Sequence, residues 1–396
     1  METETVASQD QMKLIDTCDF TAVTQLMEQA VQDSVFPGAV LLVGRGGDVL
    51  LHESFGVRTQ NVSPGTAQMN VDTVFDIASL TAVMVTTTLV MKLVESGKVQ
   101  LDDRLTRYVQ GFGVYAKSGV SIRHLLNHTG GLPAWQPFYE DLLKAHSGSR
   151  MGIITSRGAR DYIINNIVRS TLKYPAGSKQ VYSDVGLILL GFIVEMLSGL
   201  SLDKALIRYI VQPLGLRSTS FIDLAMIKRR GIHPVTDLIA PTEDCPWRKR
   251  VLCGEVHDDN AWAMGGIAGH SGLFSSAQDI HVYASEVLRA YHGDSTYLDR
   301  ETLLTFWRKP TVDSDLGWLH GWDSPSRENN MLEAGFSPHA VGINGFTGCS
   351  LWIEPEANLD IVLLSNRVHP SRNNRKILNF RPELHRAILA ATGLAH

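Results

Sequence analysis

The chain has 396 residues, 44% of them hydrophobic and 19% charged, with a formal net charge of −5 and a sequence pI near 6.3. That is enough apolar material for a large core and too little charge for a disordered chain. The acidic balance gives no pull toward phosphate backbones or anionic lipid, so nucleic acid is not an expected partner.

The N-terminal METETVASQDQMKLIDTCDF lacks the basic start and apolar middle of a secretory signal. The chain as given is therefore expected in the cytoplasm, or in the periplasm or outside the cell if a signal has been removed. Phe20 to Gln32 carries apolar residues at helical spacing and breaks at Pro37-Gly38. GAVLLVGRGGDVLLHESFGV then reads as two strands around a Gly46-Gly47 turn. Val83 to Val94 is apolar on most faces and reads as a buried helix with Ser79 near its start. LDDRLTRYV and VSIRHLLNHTGGLP give short helices and a Gly-rich loop. Residues from about 137 to 310 are mainly helices and loops, among them SDVGLILLGFIVEMLSG, a long apolar helix ended by Gly199. The longest apolar run, Val185 to Val194, stops at Glu195, which suits a buried helix better than a membrane span. CSLWIEPEANLDIVLLSNR is a hairpin with its turn at Pro355 to Asn358, and ELHRAILAATGLA closes the chain as an amphipathic helix.

Strands at both ends around a helical middle imply an α/β (α+β) fold, with an antiparallel sheet assembled from the termini and a helical insertion beside it. The expected organisation is an N-terminal tail over 1–18 and a single domain over 19–396. Its α/β lobe takes about 19–75 and 311–396, and its helical lobe about 76–310. Cys18, Cys245, Cys253 and Cys349 are too few and too irregular for a disulfide framework or zinc ribbon, and read as free thiols. The 14 histidines are scattered and none forms His-x-x-x-His beside a carboxylate, so no metal site is expected.

FDIASLTAVM, residues 75 to 84, nearly matches Ser-x-x-Lys, in which a lysine one helical turn after the nucleophile helps remove its proton. Here Ala82 stands three positions after Ser79. A serine at the start of a buried helix has amides and the positive dipole end beside it, which favour charge developing on an acyl oxygen. A lone serine there is most often a cap. Three further stretches change the weighing: LLNHTGGLP (125–133), YPAGSKQVYSDVGLILLG (174–191) and GINGFTGCSLWIEPEANLDIVLLSNR (342–367).

Together, from about residue 20 to 392 and in the expected order, these stretches resemble the serine β-lactamase and penicillin-binding-protein superfamily. The resembling branch is that of class C β-lactamases, D-Ala carboxypeptidases and family VIII esterases. GEVHDDNAWAMGGIAGHSGLFSSAQDI (254–280) is similar to a segment of muropeptide-processing members, including bacterial N-acetylmuramyl-L-alanine amidases. The resemblance implies a β-lactamase/transpeptidase-like fold, an antiparallel sheet of five or more strands flanked by helices beside a helical lobe, with the active serine between. It implies acyl transfer to water through acyl-Ser79, no metal or organic cofactor, and amide, β-lactam or ester substrates, some peptidoglycan-derived. Tyr182 is implied as the phenol exchanging protons with Ser79 and the leaving group, and Asp184 as the polar residue flanking the site, where Asn is commonest. Active members usually carry Lys-Thr-Gly or His-Thr-Gly on the last strand, which here aligns with Ile343-Asn344-Gly345. Isoleucine can support neither a substrate carboxylate nor a proton network. Gly345 permits close substrate approach, and the Phe346 amide would complete the oxyanion hole with that of Ser79.

Losing the base alone costs on the order of 10²–10⁴ in rate. Three readings follow: an impaired or active serine hydrolase, a non-catalytic relative that binds muropeptides or a protein partner, and a broad-specificity carboxylesterase that needs no carboxylate anchor. A small molecule or muropeptide is the expected partner; the oligomeric state is left open. His128 reads as a loop-holding residue. His257 and His270, around the Gly265-Gly266 loop, read either as cleft lining or as loop braces. Trp135 and Trp262 read as cleft walls or core aromatics, and Arg248-Lys249-Arg250 as a solvated surface.

Overall fold

The computed structural model describes residues 18–59, 68–146, 154–310 and 317–394. The expected tail over 1–18 falls, but for Cys18, outside the described residues, as does the 311 boundary between lobes. Helix α1 (Thr21–Gln32) leads into the hairpin β1 (Gly38–Arg45) and β2 (Asp48–Gly56), with Arg45 opposite Asp48 across the Gly46-Gly47 turn. Both glycines take positive φ, 64° and 90°, the conformations a two-residue hairpin turn demands. Strand β3 (Phe75–Asp76) is followed by a π-helical turn, Ala82–Thr87, that runs directly into α2 (Thr88–Glu95). Then come α3 (Ile122–Leu126), α4 (Phe138–His146), α5 (Arg157–Arg169), α6 (Asp184–Ser198), strand β4 (Ser220–Phe221), the short helix α7 (Asp259–Ala263), β5 (Leu273–Ser275) and α8 (Ala277–His292). Strands β6 (Val341–Asn344), β7 (Ser350–Glu354) and β8 (Leu359–Ser365) and helix α9 (Ile377–Ala391) complete the chain.

The main sheet has the order β2-β1-β8-β7-β6 and every neighbouring pair is antiparallel. β1, β7 and β8 are apolar runs rather than alternating strands because both faces are covered. Alternation reappears as a division between two cores. Ala39, Leu41, Val43, Ile361 and Leu363 pack with α1 and α9, while Val40, Leu42, Val362 and Leu364 face the larger core that includes α8 and the helical lobe. A buried pair, His281 Nδ1 to Asp360 Oδ2 at 2.9 Å, ties α8 to β8.

Helix α6 is buried nearly all round. Ser183 caps it by accepting from the Gly186 amide, and Gly199 at φ 70° ends it. Among the described residues no single helix is long and apolar enough to cross a membrane.

A second, small sheet sets up the cleft. β3 pairs with β5, which pairs with β4. The segment leading into β5 therefore runs alongside the helix that follows Ser79: Ile77 N donates to Leu273 O (3.1 Å), Leu273 N to Thr81 Oγ1 (3.1 Å) and Thr86 Oγ1 to Gly269 O (2.6 Å). Its other side lies so tight on α6 that a Cβ on Gly269 would sit 2.2 Å from Leu187 O.

Candidate active site

Ser79 ends the turn between β3 and its helix and is half-buried at the floor of a cleft of about 350 Å³. The residue before it, Ala78, is buried with φ 48°, a left-handed conformation that costs a non-glycine residue roughly 1–2 kcal/mol. Asp76 holds that turn. Its Oδ1 accepts from Ala78 N (3.0 Å) and its Oδ2 from His257 N (2.7 Å), so one buried carboxylate fixes both the nucleophile turn and the 254–280 segment. Burial raises the Asp76 pKa above the ordinary carboxylate range. A π-helical turn opening three residues after Ser79 adds to the strain pattern, since such turns cluster at functional sites.

The loop after β6 is clamped against this turn. Thr347 Oγ1 donates to Asp76 O (2.7 Å), and a Cβ on Gly345 would meet Ile77 O at 2.8 Å. Arg367 donates through Nε to Phe346 O (2.9 Å) and lies over the Phe346 ring, while Arg381 reaches Gly345 O (3.2 Å) and Cys349 O (2.9 Å). With the carbonyls of this loop held outward, the amides of Ser79 and Phe346 donate to no protein group among the described residues. Both residues line the cleft.

Tyr182, just before α6, has a hydroxyl that is buried and closes no hydrogen bond among the described residues. Burial, and then the Asp184 charge, raise its pKa well above 10, against an opposing influence of the Ser79 hydroxyl. Asp184, the first residue of α6, is pushed up to about 6 by burial, with His270 opposing and Asp258 adding to the rise. His270 Nε2 lies 2.9 Å from Asp258 Oδ1, and its Nδ1 is buried without a partner. Burial disfavours the His270 cation, but Asp258 and then Asp184 outweigh it and raise the imidazole above 6.5. Asp258 itself, despite burial, is held down to about 2 by His270 and by the Ala261 amide it caps. Tyr182 and Asp184 from one segment and Asp258 and His270 from another thus line one cleft with Ser79.

The remaining wall is an ion-pair lattice. His257 Nε2 lies 3.3 Å from Glu243 Oε2, its ring stacks on Phe346, and Arg372 bridges Glu243 (2.6 Å) and Asp259 (3.3 Å). Both histidines flanking the Gly265-Gly266 loop therefore line the cleft and brace it at once. Trp135 is an exposed wall. Trp262 is not in the wall; it stands edge-on to Trp247 and donates to Glu255. His128 holds its loop as expected, its Nδ1 accepting from Ser183 N (3.1 Å), and burial keeps it neutral with a pKa of about 3.

Two expectations are corrected. Arg248 is not a solvated residue: its side chain is 1% exposed, donates to Val256 O, His257 O and Asp259, and is flanked by the Trp247 and Trp262 rings. Ile343 and Asn344 are not among the residues that line the cleft. Ile343 is 1% exposed in the core because the pleat of β6 turns it inward, and Asn344 Oδ1 accepts from Trp352 Nε1 (3.1 Å). Ala82 is likewise buried in the core, and Ser79, Tyr182, Asp184 and Phe346 are the expected residues that the cleft brings together. Sequence reading passed over Asp76 and Asp258. The only available signal was their place in the two quoted motifs. Among the described residues no group of three or more His, Cys, Asp or Glu is arranged to hold a metal ion.

Residues 23–381 match the Beta-lactamase family. The chain belongs to the β-lactamase family. A protein of Salmonella typhi named "Putative D-alanyl-D-alanine carboxypeptidase" is 32% identical over 371 residues, covering 87% of this chain and 82% of that one. One of the same name from Escherichia coli K12 is 32% identical over 360 residues, 85% and 80% of the two chains. Among solved structures, EstCE1, a hydrolase with promiscuous acyltransferase activity, superposes with a TM-score of 0.68 at 22% identity over 95% of this chain and 99% of that one. The octameric penicillin-binding protein homologue from Pyrococcus abyssi gives 0.66 at 21%, over 88% and 73%. Simvastatin synthase (LovD) from Aspergillus terreus gives 0.70 at 18%, over 93% and 97%. At these identities the superpositions speak to the fold, and the β-lactamase-like architecture expected from the sequence is the one observed.

Proposed function

We propose that this member of the β-lactamase family is a serine hydrolase that works through an acyl-Ser79 intermediate on uncharged acyl esters. The observation that carries the reading is the pairing of a half-buried Ser79, in a left-handed turn, with two amides that have no protein acceptor, its own and that of Phe346. Amides so placed stabilise an oxyanion as it forms and need no reorganisation to do so. Tyr182 stands ready to pass the proton. The substrate preference rests on charge. Asp76, Asp184, Asp258 and Asp259 line the cleft, and Arg372 is already committed to two carboxylates. A substrate carboxylate would enter a field of its own sign.

The curated relatives' name favours D-Ala-terminated peptides instead, and Ala82 favours a relative that binds muropeptides without turnover. One comparison separates these readings: hydrolysis of p-nitrophenyl butyrate, benzylpenicillin and a D-Ala-D-Ala peptide by the wild type and by Ser79→Ala. Ester turnover lost in Ser79→Ala, with the two carboxylate substrates at least about tenfold slower, is the expected result. Faster cleavage of the peptide or penicillin contradicts the substrate class. No turnover with any of them contradicts the hydrolase reading.

A further inference from the structure

The sequence resemblance implies a lysine at position 82, and Ala82, 2% exposed in the core, leaves the proton no acceptor on the nucleophile's own helix. The acceptor must come from across the cleft. Ser79, Tyr182, Asp184, Asp258 and His270 line one cleft, Tyr182 and Asp184 lie two residues apart at the start of α6, and Asp258 holds His270 by Nε2 at 2.9 Å. The position of Asp184 is fixed by the backbone, since it opens α6, its amide donates to Ala134 O (2.9 Å), and the Ser183 cap fixes the helix start. Tyr182 Oη and His270 Nδ1, both buried, have no hydrogen-bond partner among the described residues. Two unpaired buried polar atoms in one cleft call for an explanation, and a reaction that uses them supplies one.

Resting on the hydrolase reading above, we infer that Asp184 is the proton acceptor that takes the role the resemblance gives to a lysine at position 82, reached through the Tyr182 hydroxyl, with the Asp258-held His270 in the same cleft as its charge partner. In acylation the Ser79 Oγ attacks the acyl carbon, the Oγ–C bond forms, and the carbonyl electron pair moves to oxygen against the Ser79 and Phe346 amides. The Ser79 proton passes to the Tyr182 oxygen as the phenol's own proton passes to the Asp184 carboxylate. On collapse the bond from carbon to the leaving oxygen breaks, and the proton returns from Asp184 through Tyr182 to that oxygen. Water repeats the cycle on the acyl-enzyme. A carboxyl raised to about 6 is a better acceptor than an ordinary aspartate and remains ionised at neutral pH. The charged groups facing Asp184 are Asp258 before α7 and His270 in the segment beside the Ser79 helix; Asp76, His257, Asp259 and Arg372 line the same cleft.

The test is the pH dependence of kcat/KM for p-nitrophenyl butyrate in the wild type, Asp184→Asn and His270→Gln, with thermal unfolding to establish that each is folded. The wild type is expected to lose activity below about pH 6. Asp184→Asn is expected to lose on the order of 10²–10³ in kcat with little change in KM, and to lose the acid limb. Removing the His270 cation raises the Asp184 pKa, so His270→Gln moves the limb to higher pH. An Asp184→Asn enzyme within about threefold of wild type, or one that is slow but keeps the limb, overturns the inference while leaving the hydrolase reading intact. So does a limb that vanishes in His270→Gln, because it would then belong to His270. A wild type that neither turns over the ester nor becomes acylated at Ser79 overturns both.

Discussion

His270 Nε2 lies 2.9 Å from Asp258 Oδ1, twelve residues back along the chain, and each partner moves the other's titration: His270 is raised above 6.5 and Asp258 is held down to about 2. A raised histidine contributes stability that is full below its unfolded pKa and is lost as pH rises through the folded value. A lowered aspartate contributes stability present above its unfolded pKa, ordinarily 3.8, and lost as pH falls toward 2. The pair is therefore strongest between about pH 4 and 6.5. Asp258→Asn is expected to cost about 1–3 kcal/mol near pH 5.5 and measurably less at pH 9, read by urea unfolding at both values. An equal cost at both would mean that His270 is neutral in the folded protein.

Arg248 carries the 254–259 segment into the cleft wall. Truncating it strands the Val256 and His257 carbonyls in a buried site and leaves the Asp259 carboxylate with only Arg372 and Trp247 as partners. Arg248→Ala should destabilise by about 3–5 kcal/mol, whereas Lys249→Ala next door, on a residue open to solvent, should fall within about 0.5 kcal/mol of wild type. Equal unfolding midpoints for the two variants would show that the buried lattice is not holding the wall.

Ala78 is a left-handed residue without glycine's freedom. Ala78→Gly removes that strain, and after glycine's greater unfolded-state entropy the net gain should be about 0.5–1 kcal/mol. If the strain presents Ser79, the same variant should hydrolyse esters more slowly. Stability and turnover rising together would separate the conformation from catalysis.

Gly345 approaches the nucleophile turn too closely for a side chain. Gly345→Ala puts a methyl 2.8 Å from Ile77 O and moves the Phe346 amide away from Ser79. Acylation should slow by about 10²-fold or more, as when one oxyanion donor is lost, while a folded protein remains by circular dichroism. An unchanged acylation rate would remove the Phe346 amide from the oxyanion hole.

Much of this site is written locally. Gly46-Gly47 and Pro355 to Asn358 mark hairpins that the structure contains, and the Ser79 and Tyr182 motifs locate two cleft residues, because turn chemistry and short motifs are properties of neighbouring residues. What was not legible depends on distant partners. Arg248 looks like one of three surface cations until Asp259 and two backbone carbonyls close around it. The inward face of Ile343 depends on the register of β6 against β7, where Ile343 pairs with Leu351. Ala78 carries no mark of its left-handed backbone, because glycine is the residue that normally signals one. The Asp258–His270 pair requires helix α7 and the return into β5 to bring the two together.

The most direct measurement of the central claim is the intact mass of the protein after exposure to an alkyl fluorophosphonate, for the wild type and Ser79→Ala in parallel. The account predicts one phosphonyl adduct on the wild type, mapped to Ser79 by peptide sequencing, and none on the variant. A folded wild type that gains no mass, or a Ser79→Ala protein that gains as much, would contradict it.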